Sequence, residues 1–311
     1  MAPWSGYCWI GRQGAWRCWH LADVSRIVRL LWRTARGETL ERSNVESREN
    51  RDGVAVASSS DRSRRVAFIT GAGSGMGQAC AIRLARSGYR IAAADINGQG
   101  LEATKSSLAT LGSECMCLQI DVSEEAEVEA AMEEVGARYG PPYVLALAAG
   151  IYQEAVYVVD VTTAQLDRIF RVNVYAPVYC VRSALSLMIE GAQGGRIILW
   201  SSTGAHVSRK GFAAYCASKA AVESLVRTLA CELGVHGITV NAIVPGTIDT
   251  PMIAGTDMDT YRKLLPARYV AGPEEVAGIV EFLCTSDARY ITGSGIVVDG
   301  GFLAMHRLAS L

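Results

Sequence analysis

From residue 65 onward, apolar and polar positions alternate between two kinds of segment. Short, continuously apolar runs occupy residues 64–70 (RRVAFIT), 89–95 (YRIAAAD), 114–121 (ECMCLQID), 143–150 (YVLALAAG), 194–202 (GGRIILWSS), 237–245 (GITVNAIVP) and 293–301 (GSGIVVDGG). Each is short enough for a strand, and its continuous apolarity predicts a sheet buried on both faces. Between them lie longer segments with helical spacing: 77–88, ending at Gly88, then 98–111, then 123–140. The last has an acidic first turn and Ser123 in position to cap it. Strands that alternate with helices predict an α/β fold, a doubly wound, mostly parallel seven-stranded sheet with helices on both faces, forming one domain over residues 65–311.

Residues 1–64 break this pattern. Residues 1–36 hold six arginines and a single acid, Asp23, and the first 64 residues hold five of the six tryptophans. Val24, Ile27, Val28 and Leu31 would share one face of a basic amphipathic helix. A polar, charged run follows and reads as linker or disorder. Three readings stay open: an organelle-targeting segment, a membrane-surface or partner-binding segment, or upstream sequence included by the choice of start codon. None of them gives this segment any chemistry.

The formal net charge of −1 gives no basic field for nucleic acid, and no apolar run approaches the length of a membrane span. Nine scattered cysteines suggest reduced thiols and a cytoplasmic protein. The four histidines are far apart and show no metal-ligand spacing, so no metal is expected.

Candidate chemistry begins between the first strand and the first helix, at TGAGSGMG (residues 70–77). Gly71 permits a tight turn. Gly75 and Gly77 let the backbone approach a phosphate and the helix pack on the sheet, while the helix N-terminus offers free N–H groups. Asp95 ends the second strand eighteen residues beyond Gly77, near the spacing at which a carboxylate receives the adenosine ribose hydroxyls. It would repel a 2′-phosphate, and neither Ser74 nor Ile96 beside it is basic, so NAD is expected and NADP disfavoured. Tyr215 and Lys219 stand four apart in a helix-forming run and share a face. An ammonium there favours the phenolate, which predicts a lowered Tyr215 pKa and a group fit for acid–base work. With twelve tyrosines and four lysines in the chain, this spacing arises by chance only about 0.15 times.

These stretches, with Asp121-Val122, Ala148-Ala149-Gly150, Asn173, Ser202, PGTIDT at 245–250 and VDGG at 298–301, resemble the short-chain dehydrogenase/reductase family over residues 65–303. The resemblance implies a catalytic set of Asn173, Ser202, Tyr215 and Lys219. Tyr215 would be general acid and base, Ser202 would hold the substrate oxygen, Lys219 would bond the nicotinamide ribose, and Asn173 would order a water relay. It also implies a cofactor-binding set: Gly71, Ser74, Gly75, Met76, Gly77, Asp95, Ile96, Asp121, Val122, Ala148, Ala149, Gly150, Tyr215, Lys219, Pro245, Gly246, Ile248 and Thr250. Asp121 and Val122 would contact adenine, and Ile248 and Thr250 the carboxamide. One departure stands out. The family usually has two asparagines where this chain has Leu147-Ala148, which touches cofactor affinity and local stability but not the reaction type.

The expected function is transfer of a hydride between NAD(H) and a secondary alcohol or ketone, such as a small alcohol, polyol or hydroxy-ketone. A 3-oxoacyl thioester reductase using NADPH is the alternative, and a non-catalytic dinucleotide sensor is the alternative from another class. The substrate would meet Tyr215 from residues 151–156, 203–214 and a polar helical lid at about 250–272. Tyr152, Gln153 and His206 are the polar candidates to orient it; no arginine cluster stands out for a phosphate or a carrier-protein arm, although Arg209 and Lys210 can be read that way. The resemblance further implies a homotetramer or homodimer, paired through residues 160–190, 215–234 and 290–303.

Overall fold

The computed structural model describes residues 65–305. The expectations for the N-terminal extension, residues 1–64, lie outside the described residues.

The seven strands are β1 (Val66–Thr70), β2 (Arg90–Asp95), β3 (Cys115–Gln119), β4 (Pro142–Leu147), β5 (Gly195–Trp200), β6 (Ile238–Pro245) and β7 (Gly295–Val298). They form one sheet in the order β3-β2-β1-β4-β5-β6-β7, and every neighbouring pair is parallel. Every residue of β1, β4, β5 and β6 is buried, which is why these segments read as unbroken apolar runs. Successive residues face opposite sides. Phe68, Leu145, Ile197 and Val240 join a cluster with Met132, Val181 and Val226. Ile69, Val144, Ile198 and Ile243 join a second with Leu84 and Val280.

The α-helices among the described residues are α1 (Gly75–Arg86), α2 (Gly98–Ala109), α3 (Glu125–Tyr139), α4 (Thr163–Phe170), α5 (Ala176–Glu190), α6 (Ala213–Leu233), α7 (Met258–Leu264) and α8 (Pro273–Leu283). Ser123 does not cap α3. That helix starts after Glu124, which makes no side-chain cap bond, and the Ser123 hydroxyl donates to Asp121 Oδ1 at 2.8 Å. The two-residue Asp–Ser turn competes with the cap and wins.

A π turn, Arg171–Tyr175, joins α4 to α5. Contrary to the expectation that no apolar run approaches the length of a membrane span, the helical run Thr163–Glu190 is long and apolar enough to cross one. Ala176, Cys180, Val181, Ala184 and Met188 from its second half are buried, and all five belong to the core cluster on one face of the sheet.

The strand order reverses between β1 and β4. In an open parallel sheet, the crevice beyond the strand C-termini at that point is where ligands bind. The loops after β1, β2, β4, β5 and β6 all open on that end, and they carry the motifs singled out from the sequence.

Candidate active site

The turn after β1 is built so that no side chain intrudes. Gly71 has φ of +68°, and a Cβ on it would lie 2.8 Å from Ala149 N. A Cβ on Gly77 would lie 2.1 Å from the Gly71 carbonyl oxygen. Close packing of α1 on the turn therefore requires glycine at both positions. We expect Gly77→Ala to destabilise the fold by about 2 kcal/mol, because backbone rather than a flexible side chain must move; urea unfolding at equilibrium checks this. Ser74, the residue before α1, makes no side-chain cap bond, and the first turn of α1 holds no acid. Its N–H groups and partial positive charge are left for an anion. This cradle fits a dinucleotide's pyrophosphate.

Asp95 closes the neighbouring wall. Its Oδ2 accepts from Gly73 N and its Oδ1 from Asn97 N, both at 2.8 Å. The carboxylate is thereby fixed at the end of β2, with lone pairs left for ribose hydroxyls. Beside it Ile96 is 65 % exposed. Gly71, Ser74, Gly75, Met76, Gly77, Asp95 and Ile96 line one cleft of about 680 Å³. Asp121, Val122, Ala148, Ala149, Gly150 and Thr250 line it too. Just after the departure from Asn-Asn at Leu147-Ala148, the Ala149 N–H donates to Thr70 Oγ1 at 3.1 Å and ties the segment following β4 to the end of β1. The cleft also takes in Asp167, Arg168, Arg171 and Val172, from α4 and the π turn. No motif marks them, and the apolar period that reveals the helix does not say which flank meets the crevice.

A second compartment of about 650 Å³ adjoins the first, since Met76, Thr250 and Met252 line both. Ser202, Tyr215, Pro245, Gly246 and Ile248 line it, so these members of the expected sets face the second compartment rather than the first. The expected lid contributes Met252 and Ile253 of the 3₁₀ turn Pro251–Ile253 together with Thr260, Tyr261 and Leu264 of α7.

Tyr215 shares a hydrogen bond with Ser202. Loss of water around the phenol pushes it up to about 12, and the Ser202 hydroxyl pulls the other way. The expected lowering by Lys219 is not what this geometry gives. Lys219 Nζ stands 5.8 Å from the Tyr215 ring centroid and donates to the Trp200 carbonyl at 2.8 Å. Its own burial lowers it to about 8. The shared helix face was right; the desolvation of both groups is a tertiary effect that spacing does not show.

Asn173 and Lys219 are buried and stand behind the cavity wall. Asn173 Oδ1 accepts from Ile151 N at 2.9 Å, and its Nδ2 donates to Ile151 O and Ser218 Oγ, both at 3.1 Å. Gly150 lies in front of the pair. A Cβ there would sit 3.3 Å from Asn173 Oδ1 and 3.4 Å from Lys219 Nζ, so its missing side chain brings both close to the cleft.

The three polar candidates for the substrate separate. Tyr152 lines the second compartment, its ring edge-on to Tyr215 at 4.7 Å between centroids. Gln153 does not serve there: its Oε1 accepts from Tyr215 N at 2.8 Å and its Nε2 donates to Gly211 O at 2.9 Å. It fixes the start of α6. His206 is held by Glu223, with Nε2 2.9 Å from the carboxylate, and does not line the compartment.

Comparison with known proteins agrees with this architecture. A family model described as enoyl-(acyl carrier protein) reductase matches residues 71–303. A short-chain dehydrogenase/reductase of Armillaria gallica is 37% identical over 264 residues, 80% of this chain and 99% of that one. The crystal structure of a 3-ketoacyl-(acyl-carrier-protein) reductase from Brucella melitensis complexed with NADH superposes with a TM-score of 0.72 at 32% identity, covering 76% of this chain and 98% of that one. A blue fluorescent protein from a metagenomic library, in complex with NADPH, gives 0.71 at 35% identity over 76% and 97%.

Proposed function

The chain belongs to the short-chain dehydrogenase/reductase family, NAD(P)-dependent oxidoreductases acting on CH–OH groups, and from that premise we propose an NAD(H)-dependent dehydrogenase of secondary alcohols and their ketones. The observation that carries the cofactor reading is the Asp95 carboxylate, fixed by two backbone N–H groups in the wall of the first cleft with no basic residue at position 74 or 96. A buttressed carboxylate accepts ribose hydroxyls and repels a phosphate at the same place.

The α1 N-terminus would hold the pyrophosphate, Asp95 the adenosine ribose, and Asp121 and Val122 the adenine. The bound nicotinamide supplies or accepts the hydride. The chain's own residues handle the oxygen and its proton. In ketone reduction the Tyr215 phenol donates its proton to the carbonyl oxygen, and the Ser202 hydroxyl bonds that oxygen as negative charge develops. In alcohol oxidation the Tyr215 phenolate takes the hydroxyl proton. A phenol held at about 12 remains protonated at neutral pH, which suits the reductive direction.

The test is the ratio of NADH to NADPH affinity, by fluorescence titration. We expect wild type to prefer NADH and Asp95→Ala to cut that preference by about tenfold or more, because repulsion of the extra phosphate goes with the carboxylate. A wild-type preference for NADPH would overturn the assignment and bring forward the thioester reductase. Dinucleotide binding without turnover on any ketone or alcohol would favour the sensor.

A further inference from the structure

The substrate compartment holds one formal charge. Among the side chains lining it, Arg209 is the sole Arg, Lys, His, Asp or Glu; the rest are apolar, hydroxyl-bearing or backbone. Its guanidinium donates to Tyr152 Oη at 3.3 Å and to Tyr261 Oη at 2.6 Å, and stands 5.6 Å from the Phe212 ring centroid. No carboxylate among the described residues pairs with it. An arginine has five N–H donors, so most remain free. Each phenol that accepts from it also keeps its own O–H to give. A cation flanked by two hydroxyl donors is a cradle for an anion, and the planar fork suits a carboxylate.

Its position relative to the chemistry follows from ring contacts. Tyr152 touches Arg209 through its hydroxyl and packs edge-on against Tyr215 through its ring. The cradle therefore stands one aromatic ring, that of Tyr152, from the Tyr215 side chain, on the lining of the same compartment. Tyr261 comes from α7, so the cradle is completed across the lid.

We propose that Arg209, with the hydroxyls of Tyr152 and Tyr261, binds a carboxylate on the substrate, which makes the substrates hydroxy acids and oxo acids rather than neutral polyols. This rests on the dehydrogenase reading and narrows its substrate class. The anion is fixed at one end, and the oxygen at the other end meets Ser202 and Tyr215.

The test compares oxo acids with their methyl esters, which keep the carbon skeleton and lose the charge: acetoacetate and levulinate against the two esters, with wild type, Arg209→Met, Arg209→Lys and Tyr261→Phe. In wild type the acid should exceed its ester in kcat/KM by about 10- to 100-fold, the range for a hydrogen bond to a charged group. In Arg209→Met that ratio should collapse toward one, mainly through KM for the acid. Arg209→Lys should restore part of it. Tyr261→Phe, which removes one of the two hydroxyl donors but keeps the charge, should lower the ratio only a few-fold, much less than Arg209→Met. A wild-type ratio near one, or an Arg209→Met that slows acid and ester equally, would overturn the proposal and leave Arg209 as a lid fastener. A parallel thermal-shift series with acid and dinucleotide reads binding without turnover. If no ketone turns over, an acid-dependent rise in Tm lost in Arg209→Met keeps the anion site and overturns the dehydrogenase reading. A flat series overturns the anion site.

Discussion

Tyr215→Phe should lower kcat for both ketone reduction and alcohol oxidation by about 10³–10⁴-fold while leaving the unfolding midpoint nearly unchanged. The substitution removes one oxygen and keeps the ring. The ring's packing against Tyr152 survives, and the oxygen lost bonds chiefly to Ser202. The chemistry does not survive, because the other phenols of the compartment, Tyr152 and Tyr261, have their hydroxyls bonded to Arg209 rather than placed beside Ser202. Ser202 is much less acidic than a phenol, and Arg209 is a poor acid. Dinucleotide affinity should change little, since the pyrophosphate cradle and Asp95 line the first cleft and the phenol faces the second compartment. The pH profile gives a sharper version. Burial holds the phenol protonated up to about 12, so oxidation, which needs the phenolate, should climb with pH through the neutral range, while reduction should not. In Tyr215→Phe the residual oxidation should lose that slope. A variant within tenfold of wild type would remove Tyr215 from the proton transfer.

What could be read in the sequence follows the range of the interactions concerned. Continuous burial of β1, β4, β5 and β6 writes itself into composition, so the sheet was legible. The glycine turn was legible because a Cβ would lie 2.1 Å from backbone at Gly77 and 2.8 Å from backbone at Gly71, which leaves no freedom of residue type there. The Tyr215–Lys219 pair was legible because the spacing lies within one helix. Interactions between distant segments were not. Gln153 reads as a polar group to orient the substrate until the fold brings it to Tyr215 N, sixty-two positions away. Arg209 reads as one basic residue of an Arg-Lys pair until the compartment shows it to be the one charge there. The pKa values of Tyr215 and Lys219 were misjudged in direction or left out, because desolvation depends on what packs over them.

Lys219→Met should separate stability from catalysis in opposite directions. Lys219 is buried, and its ammonium falls to about 8 from an ordinary 10.5 because it loses water. The folded pKa lies below the unfolded one, so between pH 8 and 10.5 the unfolded chain binds more protons. The penalty is therefore fully present below pH 8, and stability rises as pH climbs through that window. At pH 7 methionine, of similar length and uncharged, relieves a penalty of about 3 kcal/mol. It also gives up the bond to the Trp200 carbonyl, which offsets about 1 kcal/mol. The net expectation is a variant about 2 kcal/mol more stable than wild type at pH 7, with the gain vanishing by pH 10.5. Turnover should nevertheless fall by about 10²-fold or more, because the cation near Tyr215 and behind Gly150 is gone. Denaturant unfolding at pH 7 and pH 10, beside kcat at both, reads the two effects separately. A less stable variant at pH 7 would mean that the bond to Trp200 outweighs the burial of charge. Unchanged turnover would mean that Lys219 serves the fold alone. A gain in stability with a loss of rate would mark Lys219 as a charge held at a cost to stability because the reaction needs it there.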